Sequence, residues 1–250
     1  AYTITETNVR HALREIDDSA IRFTELTDSD PRGMDFCWKL ANARKIGCDR
    51  PRDAFLDVMH SWESRMRVIR DGETPIGYVM GGASKPRLEG HIGELGLKNE
   101  GDLPRVIKAL FREDGMTAFT LSVAPYETER AEKLGAFAER VQLVPQECIR
   151  VLNWAHVLSA ALLLKAEYAD LEDGETVLTI GNATYALAVK DGKASVSPTN
   201  AVPDRVLSEM EAIRALFGVE SAFFRDRIFH DWLPLPMYFS SISSIGSSEK

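Results

Sequence analysis

The chain has 250 residues, 44% hydrophobic and 27% charged, enough apolar material for one large core or two of moderate size, which excludes disorder as the main state. Lys plus Arg number 30 against 38 for Asp plus Glu, so the formal charge is -8 and the pI is near 5.3, and no nucleic-acid partner is expected of such a surface. The longest apolar run, residues 157–164 (VLSAALLL), falls short of the roughly 18–20 residues of a membrane span, and no charged-then-apolar leader opens the sequence, so no membrane span and a cytoplasmic location are expected.

In chain order, residues 2–5 (YTIT) read as strand-like, followed by a polar helical stretch. Residues 21–26 (IRFTEL) alternate like a half-buried strand, and Asp30-Pro31 starts a helix that reaches Lys45, with Gly47 as its stop. A shorter helix opens at Pro51 and carries Phe55, Val58, Met59 and Trp62 at helical spacing. Residues 66–70 and 75–81 flank Asp71-Gly72, a hairpin signal because both turn positions tolerate positive φ. Strands at 91–97 and 117–123, helices at 103–111 and 128–134, and a last strand at 149–152 complete this half.

Beyond Leu152 the pattern changes. Asn153 caps a long helix with a stripe of Trp154, Val157, Leu158, Ala161, Leu162 and Tyr168. Strands at 176–180, 184–190 and 193–197, joined at Gly181-Asn182 and Asp191-Gly192, form a three-stranded meander. Ser208 and Glu211 form a capping box for a helix ending at Phe217-Gly218. The meander has one face to cover and these helices are available to cover it, so a second α+β unit starts near Asn153.

The order of elements up to Leu152, antiparallel pairs and then a helix-connected portion, resembles the GNAT acetyltransferase fold. The second half is similar to sterol-carrier-protein-like domains, on RVLNWAHVLSAALLL at 150–164, the Gly-Asn and Asp-Gly hairpins, and RALFG at 214–218. With LPLPMYF at 233–239, the chain resembles the C-terminal two thirds of the enhanced intracellular survival type of acetyltransferase. The implied fold class is α+β, a GNAT-like mixed sheet with flanking helices followed by a sterol-carrier-like domain. The implied layout is a linker or domain remnant at 1–20, the GNAT-like domain at 21–152, the sterol-carrier-like domain at 153–245, and a flexible Gly/Ser tail at 246–250.

In that family a separate, N-terminal GNAT domain holds acetyl-coenzyme A through a loop of the form [RQ]-x-x-G-x-[GA], whose amides converge on the pyrophosphate at a helix N-terminus. The corresponding stretch here is KNEGDLPR, residues 98–105, with the single glycine Gly101 between Glu100 and Asp102. Those carboxylates are expected to satisfy the helix dipole themselves and repel phosphate, and Pro104 removes a donor. Gly77, Gly81 and Gly82 lie in or after a hairpin strand with no helix start behind them. No cofactor is therefore expected in this chain, although acetyl-coenzyme A is implied for the full family. The implied partners are a missing N-terminal catalytic domain or a partner chain, and a homo-oligomer.

The family also uses its terminal carboxylate as a general base, which by carry-over falls on Lys250, although the match ends near Ile245. Trp154, Leu158, Leu162 and Phe217 are candidates for lining a small apolar ligand. Other chemistry is thin. Cys37, Cys48 and Cys148 form no C-x-x-C pair, the five histidines have no i,i+4 partner, and His230-Asp231 lacks a serine elbow, so no metal site and no catalytic triad are expected. Three functions compete: the accessory portion of an N-acetyltransferase acting on small-molecule or protein amines, a stand-alone apolar-ligand module, and an independently active acetyltransferase, which the loop disfavours.

Overall fold

A computed structural model describes residues 1–44, 47, 49–60, 64–81, 89–124, 126–142, 150–217, 232, 233 and 235. Among them the chain forms two compact units: the first is built from residues 1–123 and 129–142, the second from the remainder.

The first unit holds a seven-stranded sheet. Its strands are β1 (Tyr2–Thr5), β2 (Ile21–Glu25), β3 (Met66–Asp71), β4 (Thr74–Gly81), β5 (Glu89–Leu97), β6 (Ala118–Leu121) and β7 (Arg140–Val141), in the order β2-β3-β4-β5-β6-β1-β7. Every pairing is antiparallel except β5 with β6. Helices α1 (Glu6–Ala12), α4 (Leu103–Asp114) and α5 (Thr128–Gly135) pack apolar side chains such as Val9, Ile107 and Leu134 onto one face with Ile69, Val79 and Leu95. Helices α2 (Pro31–Asn42) and α3 (Phe55–Met59) cover Val68, Tyr78 and Met80 on the opposite face. Neighbours in sequence (Val68 and Ile69, Tyr78 and Val79) thus belong to different cores, as the period-two pleat requires.

Residues 1–20, expected as a linker or remnant, contain a strand and a helix of this unit: β1 is hydrogen-bonded to β6 on one side and β7 on the other, with Ile4 fully buried. The YTIT alternation is visible in the sequence, but the partners lie more than a hundred residues away, and no local pattern names them. The Asp71-Gly72 hairpin forms, with Gly72 at φ +57°. The strand read at 149–152 is absent at residues 150–152, residue 149 lying outside the described residues; the edge strand is instead the two-residue β7.

One irregularity decides where the charges go. The register of β4 and β5 pairs Met80 with Glu94 but Gly81 with Ile92, so β5 carries one extra residue at Gly93. Gly81, at φ +104°, approaches so closely that a Cβ there would stand 2.4 Å from the His91 carbonyl oxygen. Across the bulge Ile92 faces the α4 core, while Glu94 faces Tyr78 on the other side.

In the second unit, α6 (Trp154–Ala166) starts where Asn153 accepts from the His156 N–H at 3.1 Å. The expected meander is the antiparallel set β8 (Gly174–Ile180), β9 (Ala183–Lys190) and β10 (Lys193–Pro198), turned at Gly181 (φ +60°) and at Asp191-Gly192 (φ +51° and +71°). A fourth strand, β11 (Arg205–Leu207), pairs parallel to β8, giving the order β10-β9-β8-β11. The capping box forms as read: the Ser208 N–H donates to Glu211 at 2.8 Å and the Glu211 N–H to Ser208 Oγ at 3.3 Å, opening α7 (Glu209–Phe217).

Candidate functional sites

The strand-to-helix connection after β5 is where an acetyl-coenzyme A loop is to be sought. The Lys98 N–H donates to the Ile76 carbonyl at 2.9 Å, the Gly101 N–H to Asn99 Oδ1 at 2.8 Å, the Asp102 N–H to the Asn99 carbonyl at 3.1 Å, and the Leu103 N–H to the Glu100 carbonyl. A 3₁₀ turn, Glu100–Asp102, results, and Pro104 has no N–H to offer. Four amides of residues 98–104 are therefore engaged inside the chain and a fifth position lacks one. Donors already satisfied by a carbonyl or an amide oxygen cannot converge on a pyrophosphate without breaking those bonds.

The carboxylates of this loop do not act as the sequence suggests. Asp102 makes no side-chain capping bond and sits 3.4 Å from Arg105, which also holds Asp71 at 2.9 Å. Glu100 is paired with Arg130 of α5: Nε donates at 3.0 Å and Nη2 to the other carboxylate oxygen, while Nη1 donates to the Leu95 carbonyl at 2.9 Å. Their charge is matched by arginines rather than by the helix dipole, which leaves engagement of the amides as the stronger obstacle to an anion.

A second polar cluster, unread in the sequence, lies on the other face. Glu94 (2% exposed) accepts two bonds from Arg50 (4% exposed), at 3.0 and 2.9 Å, one from the Tyr78 hydroxyl, and has Arg44 at 3.3 Å. Burial pushes the Glu94 carboxyl up, but the bonds and charge of Arg50, with Arg44 and Tyr78, outweigh it and hold it below the usual carboxylate range. Burial and the Glu94 charge push the Tyr78 phenol well above its ordinary value. A carboxylate held below its usual range and a phenol held above its own suit a structural lock rather than an acid–base pair. Arg50 is itself positioned by α2, its carbonyl accepting from Trp38 Nε1 at 2.8 Å and Asn42 Nδ2 at 3.1 Å. A lone carboxylate among the apolar residues that follow His91 in HIGELGL is the one sequence signal that such a partner exists.

In the second unit the four residues read as lining an apolar ligand come together. Trp154, Leu158 and Leu162 belong to one core with Leu178, Leu187 and Val189, and Phe217 stacks on Trp154 with ring centroids 6.4 Å apart. Trp154 is 6% exposed, and its Nε1–H is buried with no hydrogen-bond partner among the described residues. Trp232, by contrast, donates to the Glu172 carbonyl at 3.0 Å.

Among the described residues no three His, Cys, Asp or Glu side chains converge as a metal site requires. The Cys37 thiol is fully buried, and burial pushes it up to about 12, away from the thiolate that a nucleophile requires. His91 Nδ1 lies 2.9 Å from Thr120 Oγ1, and burial lowers the pKa of its ring. His230-Asp231, Gly82, Cys48, Cys148 and Lys250 lie outside the described residues. No described helix is long and apolar enough to cross a membrane.

No protein-family model and no curated protein matches the sequence. Solved structures do. A GCN5-related N-acetyltransferase from Kribbella flavida aligns at TM-score 0.51 and 15% identity, covering 94% of this chain and 60% of that one. Eis1 from Mycobacterium abscessus aligns at 0.51 and 16%, covering 83% and 54%. A GCN5-related N-acetyltransferase from Anabaena variabilis aligns at 0.50 and 12%, covering 99% and 64%. The chain thus spans less than two thirds of each of these proteins. The architecture, a mixed sheet with flanking helices in an α+β chain, is that of the GNAT-like fold.

Proposed function

We propose that this chain is the accessory portion of an acetyl-coenzyme A-dependent N-acetyltransferase acting on small-molecule or protein amines, and that its own GNAT-like unit does not bind acetyl-coenzyme A. The observation that carries the reading is the loop after β5, where the amides of Lys98, Gly101, Asp102 and Leu103 are engaged and Pro104 has none. Chemistry is then assigned to a separate catalytic domain or partner chain, in keeping with neighbours that are each longer than this chain. The second unit is the sterol-carrier-like part, and resemblance to the enhanced intracellular survival type further implies a cytoplasmic homo-oligomer. Isothermal titration of the 250-residue chain with acetyl-coenzyme A tests it. No heat of binding is expected up to about millimolar ligand, and micromolar affinity overturns the reading.

A second reading, a stand-alone module for a lipid-like or sterol-like ligand, is favoured by one observation. The Trp154 Nε1–H is a buried donor without an acceptor among the described residues, beside Phe217. An orphan donor in an apolar surround costs free energy unless something accepts from it, and a ligand carbonyl or hydroxyl has the required chemistry. Displacement of a fluorescent fatty acid distinguishes the two readings, since the accessory role alone demands no such uptake.

A further inference from the structure

We infer that Arg130 is a built-in occupant of the opened seam between β5 and β6, a guanidinium held in cis by acceptors that would take a guanidinium from solution in its absence. The inference rests on the reading of the 98–104 loop given above and names what fills the same site.

The seam follows from the pairing. β5 runs to Leu97, yet β6 pairs with it only over Glu89–Ile92, so from Gly93 onward one side of β5 has no strand beside it among the described residues. Leu95 is 3% exposed, and a carbonyl at such a place must find a donor inside the protein. The donor is Arg130, 6% exposed, whose Nη1 takes the Leu95 carbonyl while Nε and Nη2 take both oxygens of Glu100. One planar group therefore joins α5, the end of β5 and the 3₁₀ turn ahead of α4. The set of acceptors, a carboxylate edge and a carbonyl, is complementary to a guanidinium in shape and charge; a lysine ammonium is a point charge that cannot fork across a carboxylate and reach a carbonyl together. Removing Arg130 leaves a guanidinium-shaped vacancy lined by the part-exposed Glu100 carboxylate and the buried Leu95 carbonyl, which loses its donor.

The test is chemical rescue on the full chain. Arg130→Ala is expected to lower the unfolding temperature by about 5–10 °C. Methylguanidinium at about 20 mM then recovers a large share of that loss, whereas methylammonium at the same ionic strength does not. Arg130→Lys stays close to Arg130→Ala, and the pair Glu100→Gln with Arg130→Ala shows no rescue because the forked acceptor is gone. An unfolding temperature of Arg130→Ala within about 1 °C of the unaltered chain, or rescue no better than methylammonium gives, overturns the inference. Should Arg130→Ala not fold, Arg130→Gln takes the same titration and the same two outcomes decide. Acetyl-coenzyme A is titrated into the unaltered chain in parallel: micromolar binding there overturns the reading of the loop, and the rescue result still stands or falls by itself.

Discussion

The two units bury different kinds of group, and the contrast separates closing an interior from leaving it open. In the first, Asp18, Arg50, Glu94 and Arg130 are all buried, each in contact with an opposite charge. Among the described residues the nitrogens left unpartnered there are the Nε atoms of Arg50 and Arg67, whose other two nitrogens already grip a carboxylate, and His60 Nε2. In the second, the one buried polar residue among those described is Thr176, and the buried donors with no hydrogen-bond partner among the described residues include Trp154 Nε1 and the Tyr168 hydroxyl. Buried ion pairs consume the hydrogen-bonding capacity of a site and hold one geometry; unused donors in an apolar core keep that capacity for something else. Within a single chain the GNAT-like unit thus spends most of its buried polar groups on internal ion pairs, and the unit after Asn153 leaves donors unspent in an apolar core.

The strongest attack on that contrast is Glu94→Ala. It strands Arg50 in the interior and removes the acceptor of Tyr78, a change expected to cost about 3–5 kcal/mol, read as a lowered urea midpoint of the first unit. A loss below about 1 kcal/mol would mean that water reaches Arg50 and that the interior is not closed.

Acid probes the same group more gently. Glu94 has a folded pKa below its unfolded one, so it binds fewer protons folded than unfolded. Its contribution is fully present above the unfolded value of about 4.3 and is lost as pH falls from there through the depressed folded value. The expected result is a urea midpoint of the first unit that drops between about pH 4.5 and 3 in the unaltered chain, with a smaller drop in Glu94→Gln. Equal acid slopes in the two proteins would assign the loss to surface carboxylates instead.

How much of this was legible in the sequence depends on the range over which each feature is determined. Local signals were sound: Asp71-Gly72, Gly181, Asp191-Gly192, the Asn153 cap and the Ser208–Glu211 box each form as their residue types dictate. The two-residue β7 and three-residue β11 escaped because alternation needs more residues than they have. The sites were legible only by halves. Gly101, Glu100 and Asp102 marked the loop correctly, but the arginines that answer those carboxylates come from α4 and α5, and Arg50 reaches Glu94 from 44 residues away. Long-range pairing of this kind is fixed by the packed fold and leaves no periodic trace.

The smallest expected effect, Trp154→Phe, is the most pointed on the open side of the contrast. Phe keeps a ring that can stack on Phe217 and deletes only the Nε1–H, which bonds to nothing among the described residues. With no hydrogen bond lost and an unpaired buried donor removed, stability of the second unit is expected to change by less than about 1 kcal/mol, in either direction. Affinity for an apolar ligand that carries an acceptor behaves differently, because there the donor has a partner to lose; a neutral hydrogen bond of about 1 kcal/mol corresponds to a roughly fivefold weaker fatty-acid displacement curve. A variant that leaves the displacement curve unchanged, or one that destabilises the second unit by several kcal/mol, would show that Trp154 only fills space, and the two units would then differ in the charge they bury but not in what they leave open.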